Sequence, residues 1–152
     1  MSPSETPEIR HLAPTEHDSW YPLWRAYQEF YKVDIPADVS AVTWRRLLDP
    51  SEAMFGALAW SGEKAVGLVH WLLHRSCWTI GNYCYLQDLF VWREERSRGI
   101  GRRLIDHVTR AAEESECSRV YWLTHETNSN AMLLYDRVAE RSGFVQYRKL
   151  LR

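Results

Sequence analysis

Three apolar runs in the middle of the chain constrain its fold more than any other feature. They extend from Phe55 to Trp60, from Ala65 to His74 and from Tyr83 to Trp92. Runs of this length are typical of β-strands, and the Ser61-Gly62 pair between the first two is typical of a tight turn. We therefore expect three consecutive antiparallel strands, whose apolar faces need helices to cover them.

Helical spacing of apolar residues on both sides of these strands predicts the covering elements. Before the strands, an aromatic helix follows Pro14 and a second helix runs from about Val39 to Leu48. After them, an amphipathic helix begins at the Gly99-Ile100-Gly101 turn, and another helix spans residues 130–142. Short strands are predicted at Ile9 to Leu12, Val120 to Leu123 and Phe144 to Leu151.

The resulting element order is β-α-α-β-β-β-α-β-α-β, without a long linker or a repeat. A chain of 152 residues with 45% hydrophobic residues is long enough to bury one substantial core. The sequence therefore predicts a single α+β (mixed α/β) domain over residues 1–152, with a central, mixed, mostly antiparallel sheet flanked by about four helices. Residues 1–7 carry two prolines and are expected to form a loose N-terminal end.

The charge is nearly balanced over the whole chain but unevenly distributed along it. Lys and Arg total 19 while Asp and Glu total 20, which gives a formal net charge of -1. Residues 1–60 hold 9 acidic and 5 basic side chains, whereas residues 92–152 hold 9 acidic and 12 basic ones. Without an overall basic excess, nucleic acid is not an expected partner. Five arginines between Arg93 and Arg103 form a cluster suited to bidentate phosphate binding.

Cysteine usage and the start of the chain indicate a cytoplasmic protein. The three cysteines, Cys77, Cys84 and Cys117, are odd in number and lack C-x-x-C spacing, which argues against a disulfide framework and a structural zinc site. His70 and His74 lack a third partner, so no metal is expected. The start has no apolar leader segment, and no apolar run approaches the ~18 residues that span a bilayer, so no membrane association is expected.

A glycine pair opens the long helix that follows the third central strand, in the pattern Arg96-x-x-Gly99-x-Gly101. Free backbone N–H groups at a helix N-terminus, approached without a Cβ in the way, can cradle a phosphate. The surrounding side chains are Arg96, Ser97, Arg98 and Arg102. The same residues also fit a plain tight turn with solvated arginines. Neither a Walker loop nor a Rossmann fingerprint is present, because Arg102, Arg103 and Leu104 follow the second glycine.

Two motifs together resemble the signatures of the GNAT superfamily of N-acetyltransferases. The Arg96-x-x-Gly99-x-Gly101 loop, after a strand and before a long helix, resembles that family's acyl-CoA pyrophosphate loop. The segment Asn128-x-x-Ala131-x-x-Leu134-Tyr135, followed by Gly143-Phe144, resembles its second signature, a helix that carries a tyrosine. The resemblance covers roughly residues 8–151. It implies a GNAT-like fold and acetyl-CoA as co-substrate.

Within the superfamily, the segment Tyr85 to Val91 and the early aromatic helix resemble the branch of diamine, fungal histone and D-amino-acid acetyltransferases. Two departures from that branch are visible. Diamine acetyltransferases usually have an acid where this chain has Gln87, which puts polyamine specificity in doubt. The stretch from Asp136 to Ser142 is longer than the common spacing, which implies a longer tyrosine helix or a bulge.

The resemblance also implies which residues bind the cofactor. Backbone groups of Leu89, Phe90 and Val91 would pair with the acetyl carbonyl and the pantetheine, and one N–H would donate to the oxyanion. The remaining implied cofactor residues are Arg96, Ser97, Arg98, Gly99, Ile100, Gly101, Arg102, Asn128, Ala131 and Tyr135. Tyr135 would protonate the departing thiolate, since a phenol of pKa ~10 has similar basicity. On spacing alone, Tyr135 could equally be a core aromatic.

The general base has several candidates. Asp88 lies on the strand beside the expected thioester, while regular alternation points Gln87 to the opposite face, so only one of them can line the cleft. Glu126 and His125 follow the fifth strand and could relay a proton through water. We take Tyr135, Asp88 and Glu126 as the catalytic candidates.

The resemblance also implies that the acceptor site lies on the first two helices and their loop. The candidate acceptor-binding residues are Tyr27, Glu29, Asp34 and Gln87. Acidic and aromatic side chains would suit a cationic amine through ion pairing and cation–π contact, although the aromatics also fit a plain core role. The expected function is direct acetyl transfer to a primary amine of a small molecule such as a polyamine or amino acid. The alternatives are a lysine or N-terminal amine of a protein or peptide, or a noncatalytic acyl-CoA sensor. A homodimer is expected from the superfamily.

Overall fold

The computed structural model describes residues 6–151 and divides into two compact units, one ending at Trp122 and the other beginning at Leu123. The first unit contains a five-stranded sheet. Its strands are β1 (Glu8–His11), β2 (Met54–Ser61), β3 (Lys64–His74), β4 (Tyr83–Val91) and β5 (Arg119–Tyr121). Of the expected loose end, residues 1–5 lie outside the described part, and Pro7 is buried rather than loose.

The strands lie in the sheet in their chain order. The first four are mutually antiparallel, and β5 runs parallel to β4. The three central antiparallel strands and the mixed sheet are therefore confirmed. Gly62 has a φ of 64° in the turn between β2 and β3, where the left-handed conformation favours glycine.

Three helices cover the sheet of the first unit, and their bounds are α1 (His17–Phe30), α2 (Ala37–Leu48) and α3 (Ile100–Glu114). A single 3-10 turn at Pro14–Glu16 leads into α1, and Pro36 ends the loop that precedes α2. Within residues 6–151, none of the helices is both long and apolar enough to traverse a lipid bilayer.

The two faces of the sheet carry different helices. On one face, α1 buries Trp20, Leu23 and Trp24 against Leu68 of β3 and Phe90 of β4. Residues that pair across β3 and β4 share a face, so the pairing of Leu68 with Phe90 and of His70 with Asp88 places Asp88 on the α1 face as well. The functional polar groups of β3 and β4 therefore lie under α1.

On the other face, α3 packs closely against the sheet. A Cβ added at Gly67 of β3 would lie 3.3 Å from both the Ile100 Cγ2 and the Leu104 Cδ1 of α3. Glycine at this position therefore lets the first turn of α3 approach the strand. The crossover from β4 through α3 to the parallel β5 places the helix N-terminus beside the carboxyl end of β4.

A β-bulge interrupts the ladder between β3 and β4. His70 pairs with Asp88, but the next residue, Trp71, pairs with Leu86, so Gln87 has no partner on β3. The bulge shifts the alternation of β4 by one residue. Tyr85 therefore shares a face with Asp88, three positions away, which regular alternation would forbid.

The ladder between β4 and β5 is short. It pairs Tyr83 with Arg119, Cys84 with Val120 and Tyr85 with Tyr121. Beyond Tyr85, β4 continues to Val91 without a β5 partner in the described part of the chain. The edge of β4 that carries residues 86–91 thus has no ladder partner in β5.

The second unit contains the helix α4 (Ser129–Val138), which corrects the predicted helix over residues 130–142. Ala139 is already extended, so the long stretch after Tyr135 does not lengthen the helix. The predicted strand from Phe144 to Leu151 is also wrong. These residues have no assigned strand, and Tyr147 and Leu151 are 93% and 88% exposed. Apolar residues can indicate a strand only where a ladder partner exists, and none lies beside this segment within residues 6–151.

Candidate active site

The loop after β4 reverses direction at two residues in the left-handed conformation, Ser97 with a φ of 70° and Gly99 with a φ of 76°. Gly99 is the N-cap residue of α3, and Ile100 is buried as the first residue of the helix. A Cβ added at Gly99 would meet nothing within 4 Å among the described residues. The loop therefore presents open space in front of the free N–H groups of α3, as a phosphate cradle requires.

The charges of α3 favour an anion at this position. Arg102 and Arg103 lie in the first turns, and the first turn contains no acidic residue. Cations near a helix N-terminus oppose the helix dipole, which costs roughly 0.3–1 kcal/mol each, unless an anion lies between them and the helix. Arg98 pairs instead with the Glu95 carboxylate. The exposed arginines of the helix are thus better suited than Arg98 to a phosphate.

The Arg96 side chain contacts residues outside the loop. Its Nε–H donates to the Val91 carbonyl oxygen at 3.1 Å. Its guanidinium carbon lies 5.2 Å from the Phe30 ring centre and 5.6 Å from the Phe90 ring centre. This arginine, predicted to bind pyrophosphate, therefore lies between the end of α1 and β4.

A chain of buried hydrogen bonds leads from α1 to Asp88. The Trp20 indole N–H donates to Nε2 of His70 at 2.9 Å. Because Nε2 must accept that bond, the ring proton lies on Nδ1 and is donated to the Asp88 carboxylate, also at 2.9 Å. His70 and Asp88 are 2% and 7% exposed. Trp20 thereby fixes the tautomer of His70, and His70 fixes the orientation of the carboxylate.

Three phenols surround the same carboxylate. Burial, the charge of Asp88 and a hydrogen bond donated to it raise the pKa of Tyr27 far above its ordinary value. Burial and the charge of Asp88 also raise the pKa of Tyr31 and of Tyr85. Tyr27 and Tyr31 lie with ring centres 4.8 Å apart, and Tyr85 stacks on Tyr121 at 4.9 Å. A carboxylate bordered by aromatic rings is a suitable environment for an ammonium group.

The sequence gives Asp88 and Tyr27 as candidates and His70 as a structural or acceptor-side group, but Tyr85 was missed. A signal for His70 existed, because it is a lone polar residue inside an apolar strand, opposite Asp88 in a hairpin. No comparable signal existed for Tyr85, whose face depends on the bulge at Gln87.

The other predicted acceptor residues are less involved. Asp34 is exposed and pairs with Arg25 at 3.3 Å, and Glu29 is exposed. Gln87 is the bulged residue and is exposed. Gln28, which was not predicted, is buried, and its side-chain oxygen accepts a hydrogen bond from the Ile35 N–H. Gln28 therefore fixes the loop after α1.

The candidates of the second unit lie on α4 and the turn before it. Asn128 is the N-cap residue of α4, but its side chain donates to Thr124 Oγ1 at 3.4 Å rather than capping the helix. Tyr135 and Ala131 lie on α4, both partly buried. Glu126 is exposed, and the neighbouring His125 Nδ1 lies 2.6 Å from the Thr127 hydroxyl oxygen. Their proposed roles remain predictions.

The mixed sheet and the glycine turn between β4 and α3 are the arrangement that the GNAT resemblance implies. A sequence profile of the acetyltransferase (GNAT) family matches residues 17–139. The chain therefore belongs to the GNAT family and is an N-acetyltransferase.

Similar proteins agree with this assignment. The D-amino-acid N-acetyltransferase of Saccharomyces cerevisiae is 36% identical over 143 residues, covering 93% of this chain and 89% of that protein. The thialysine N-epsilon-acetyltransferase of Caenorhabditis elegans is 26% identical over 131 residues, covering 86% of this chain and 81% of that protein. The aminoglycoside N-acetyltransferase AAC(6')-Iy, solved with a CoA-containing bisubstrate analogue, shares the fold, with a TM-score of 0.83 at 18% identity, covering 97% of this chain and all of that one (100%).

Proposed function

We propose that this protein transfers the acetyl group of acetyl-CoA directly to a primary amine of a small molecule. The observation that carries the proposal is the buried Asp88 carboxylate, oriented by His70 and bordered by phenols, on the strand that ends at the phosphate cradle. The relatives named for D-amino acids and thialysine support an amine acceptor of this size. The family supports acetyl-CoA as the donor.

The residues around the cradle fit acetyl-CoA. Open space at Gly99 and the cations at Arg102 and Arg103 suit the pyrophosphate. The unpaired edge of β4 suits the pantetheine amides, which would hydrogen-bond to backbone groups of Leu89 to Val91. One N–H of this edge would donate to the oxyanion that develops on the acetyl carbonyl.

The chemistry requires two proton transfers. The amine nitrogen bonds to the thioester carbonyl carbon, the C–S bond breaks, one proton leaves the amine, and one proton reaches the thiolate. Before these two transfers, Asp88 binds the acceptor as its ammonium form and takes one proton, directly or through water, which gives the neutral amine that attacks. The proton lost from the nitrogen as the C–N bond forms passes to a base, for which Glu126 is the second candidate. Tyr135 is the proposed acid toward the thiolate.

No covalent acyl-enzyme is part of this proposal. Burial raises the pKa of the Cys84 thiol to about 12, so it is not a thiolate near neutral pH. Burial also raises the pKa of Cys117. Direct transfer within a ternary complex of protein, acetyl-CoA and amine is therefore the proposed route.

The decisive experiment compares Asp88→Asn with Glu29→Gln and Asp34→Asn, using an amine identified by mass-spectrometric screening. Asp88→Asn keeps the shape but removes the charge, and we expect kcat/KM to fall about 100-fold or more. The other two variants remove exposed acids of α1 and the loop after it, which are also acceptor candidates, and should lower kcat/KM less than Asp88→Asn does. A wild-type protein that binds acetyl-CoA but acetylates no amine would contradict the proposed function. Equal effects of all three variants would contradict the role of Asp88.

Two properties of the whole molecule belong to the same proposal. We propose a homodimer, supported by the exposed apolar side chains of the C-terminal segment, and a cytoplasmic location, supported by the absence of disulfides among Cys77, Cys84 and Cys117.

A further inference from the structure

A second histidine of β3, His74, forms a hydrogen-bonded pair that the proposed mechanism does not use. Its Nδ1 lies 2.8 Å from the Arg75 carbonyl oxygen, which can only accept, so this nitrogen carries the ring proton. Its Nε2 lies 2.7 Å from the Tyr121 hydroxyl oxygen and, in the neutral ring, accepts the phenol proton. His74 is exposed and Tyr121 is partly buried. The pair therefore connects a phenol inside the fold with a base that contacts solvent.

This pair lies on the same face of the sheet as Asp88. His74 pairs with Tyr83 on β4, two residues before Tyr85. Tyr85 in turn pairs with Tyr121 on β5, so all of them share one face. The bulge in β4 brings Asp88 onto that face as well. The rings of Tyr85 and Tyr121 stack with their centres 4.9 Å apart, so a row of polar side chains leads from the carboxylate side of Tyr85 to the exposed imidazole.

The proposed reaction releases one proton in each turnover. An ammonium acceptor loses two protons when it becomes an amide, and the departing thiolate takes up only one. In the proposed mechanism Asp88 takes a proton from the acceptor, and its side chain is buried away from solvent. His70 offers no exit, because Trp20 and Asp88 occupy its two ring nitrogens inside the core. The proton on Asp88 must therefore leave by another route before the next acceptor binds.

The protonation of the phenols in this row suits such a route. Burial raises the pKa of Tyr121, and the charge of Arg119 offsets this only in part. Burial, then the charge of Asp88 and then Tyr121, raise the pKa of Tyr85, which places Tyr85 within electrostatic range of both. Both phenols are thus uncharged near neutral pH. An uncharged phenol that donates to an imidazole passes its proton on as its oxygen receives another.

We propose that Tyr121 and His74 form a proton exit for the acetyl-transfer site. This inference rests on the proposed function and names two further residues of its mechanism. The proton leaves Asp88 and reaches the Tyr121 oxygen through water beside Tyr85. The O–H bond of Tyr121 breaks as its own proton moves to Nε2 of His74, and the imidazolium then loses one proton to solvent. Tyr121 ends as a neutral phenol and His74 as a neutral imidazole, so the proton balance of each turnover closes.

The competing role of the pair is structural. In that role the hydrogen bond only holds the last residue of β3 against the last residue of β5. A structural bond does not depend on the buffer, whereas a proton exit does, because a dissolved base can take the place of a missing exposed imidazole. The dependence of turnover on the buffer therefore separates the two roles.

The test measures turnover of the full-length protein with an amine identified by screening, at one pH and ionic strength. The assay is run in a dilute buffer without imidazole and again with imidazole added. We expect the wild-type kcat to be the same in both. In His74→Ala, kcat should fall about tenfold in the dilute buffer and recover to about half of the wild-type value or more with imidazole. The Kd of CoA measured by calorimetry should stay within twofold of wild type.

Two further variants examine the hydrogen bond itself. His74→Gln keeps an acceptor for the Tyr121 hydroxyl but cannot take up a proton, so it should lose as much activity as His74→Ala. Tyr121→Phe keeps the ring that stacks on Tyr85 but removes the hydroxyl, and its kcat should fall to a similar extent. The double variant His74→Ala, Tyr121→Phe should be no slower than the slower single variant, because both changes interrupt one path.

Tyr83→Phe is the matched control. The Tyr83 ring lies 5.7 Å from the His74 ring and 6.2 Å from the Tyr121 ring, but its hydroxyl has no hydrogen-bond partner among residues 6–151. This variant should retain the wild-type kcat in both buffers. Melting temperatures near the wild-type value establish that all the variants are folded.

An unchanged kcat of His74→Ala in the dilute buffer overturns the inference and leaves the proposed function intact. A loss that imidazole does not restore, or one that His74→Gln avoids, also overturns it, because either result assigns the pair a structural role. If the wild-type protein acetylates no amine, the proposed function fails and the proton exit fails with it.

Discussion

His70 is the residue on which the orientation of the candidate acceptor site depends. Its two ring nitrogens bind partners of opposite type, a donor in Trp20 and an acceptor in Asp88. Neutral imidazole provides one donor and one acceptor, so each partner determines what the other can be. The indole of Trp20 therefore influences the orientation of the Asp88 carboxylate through His70.

We predict that Trp20→Phe destabilises the protein more than Trp60→Phe. Both substitutions replace a buried indole with a smaller phenyl ring. The Trp20 N–H donates a hydrogen bond to His70, whereas the buried Trp60 N–H has no hydrogen-bond partner among the described residues. Losing the donor leaves Nε2 of His70 buried and unsatisfied, which costs about 1–3 kcal/mol. Urea denaturation of both variants measures the difference. Equal free energies of unfolding would show that the hydrogen bond contributes little.

A second histidine, His107 on α3, should make stability depend on pH. Burial, and then the charges of His11 and Arg110, lower its pKa, while Glu114 acts in the opposite direction. Its Nε2 is buried without a hydrogen-bond partner among residues 6–151. Because its pKa is lower in the folded protein than in the unfolded chain, the unfolded chain binds more protons as the pH falls.

The contribution of neutral His107 to the free energy of unfolding should therefore be complete above pH ~6.5, the ordinary pKa of histidine. It should decrease as the pH falls toward the lower pKa of the folded protein. We predict that His107→Leu flattens this decrease between pH 7.5 and pH 5, measured by urea denaturation. The control His125→Gln replaces an exposed ring and should retain the slope. An unchanged slope in His107→Leu would assign the pH dependence to other groups.

At the scale of elements, the loop between β4 and α3 needs a left-handed backbone at Gly99 and leaves open space at the same residue. We predict that Gly99→Ala costs about 1–2 kcal/mol, because an L-residue at this φ is strained, and that it also weakens CoA binding by placing a methyl group in the cradle. Gly143→Ala is a matched control, since Gly143 has a φ of 86° and equally open space around it. Calorimetry and denaturation should show similar stability losses but a loss of CoA affinity only in Gly99→Ala. Equal CoA affinity in both would place the pyrophosphate elsewhere.

The elements themselves were largely predictable from the sequence, because their signals are local. The three central strands, the aromatic stripe of α1 and the glycine pair before α3 depend on residues close in the chain. The bulge at Gln87 was not predictable, because it depends on which β3 residue pairs with which β4 residue. The end of α4 at Val138 was missed because its periodicity continues to Ser142 without a breaker.

The site residues divide in the same way, into those with a local signal in the sequence and those whose contacts form only in the folded molecule. Asp88 was identified because a charged residue in an apolar strand is conspicuous within the strand itself. The contact between Arg96 and Phe30 was not predicted, since those residues are 66 positions apart and meet only in the folded molecule. Glu29 and Asp34 were favoured on charge alone, and their exposure could not be derived from helical periodicity at the end of α1.

At the scale of the whole molecule, the C-terminal segment supports the proposed homodimer. Tyr147 and Leu151 are 93% and 88% exposed, and such apolar residues are usually covered by a partner surface. We predict that the double variant Tyr147→Ser, Leu151→Ser shifts a wild-type dimer to monomer in light scattering after size exclusion. Ile80→Ser, at a residue outside this segment that is 97% exposed, should leave the dimer intact. A wild-type monomer would contradict the dimer, and a dimer that persists in the double variant would place its interface elsewhere.

The bulge in β4 has a consequence for how this gene can change. Deleting the codon for Gln87 would restore a regular ladder and leave Tyr85 two positions from Asp88, so the Tyr85 phenol would stay on the same side of the sheet as Asp88. Both substitution and loss of Gln87 should therefore preserve the face that Tyr85 and Asp88 share, so β4 is expected to vary at this position in composition and by one residue in length.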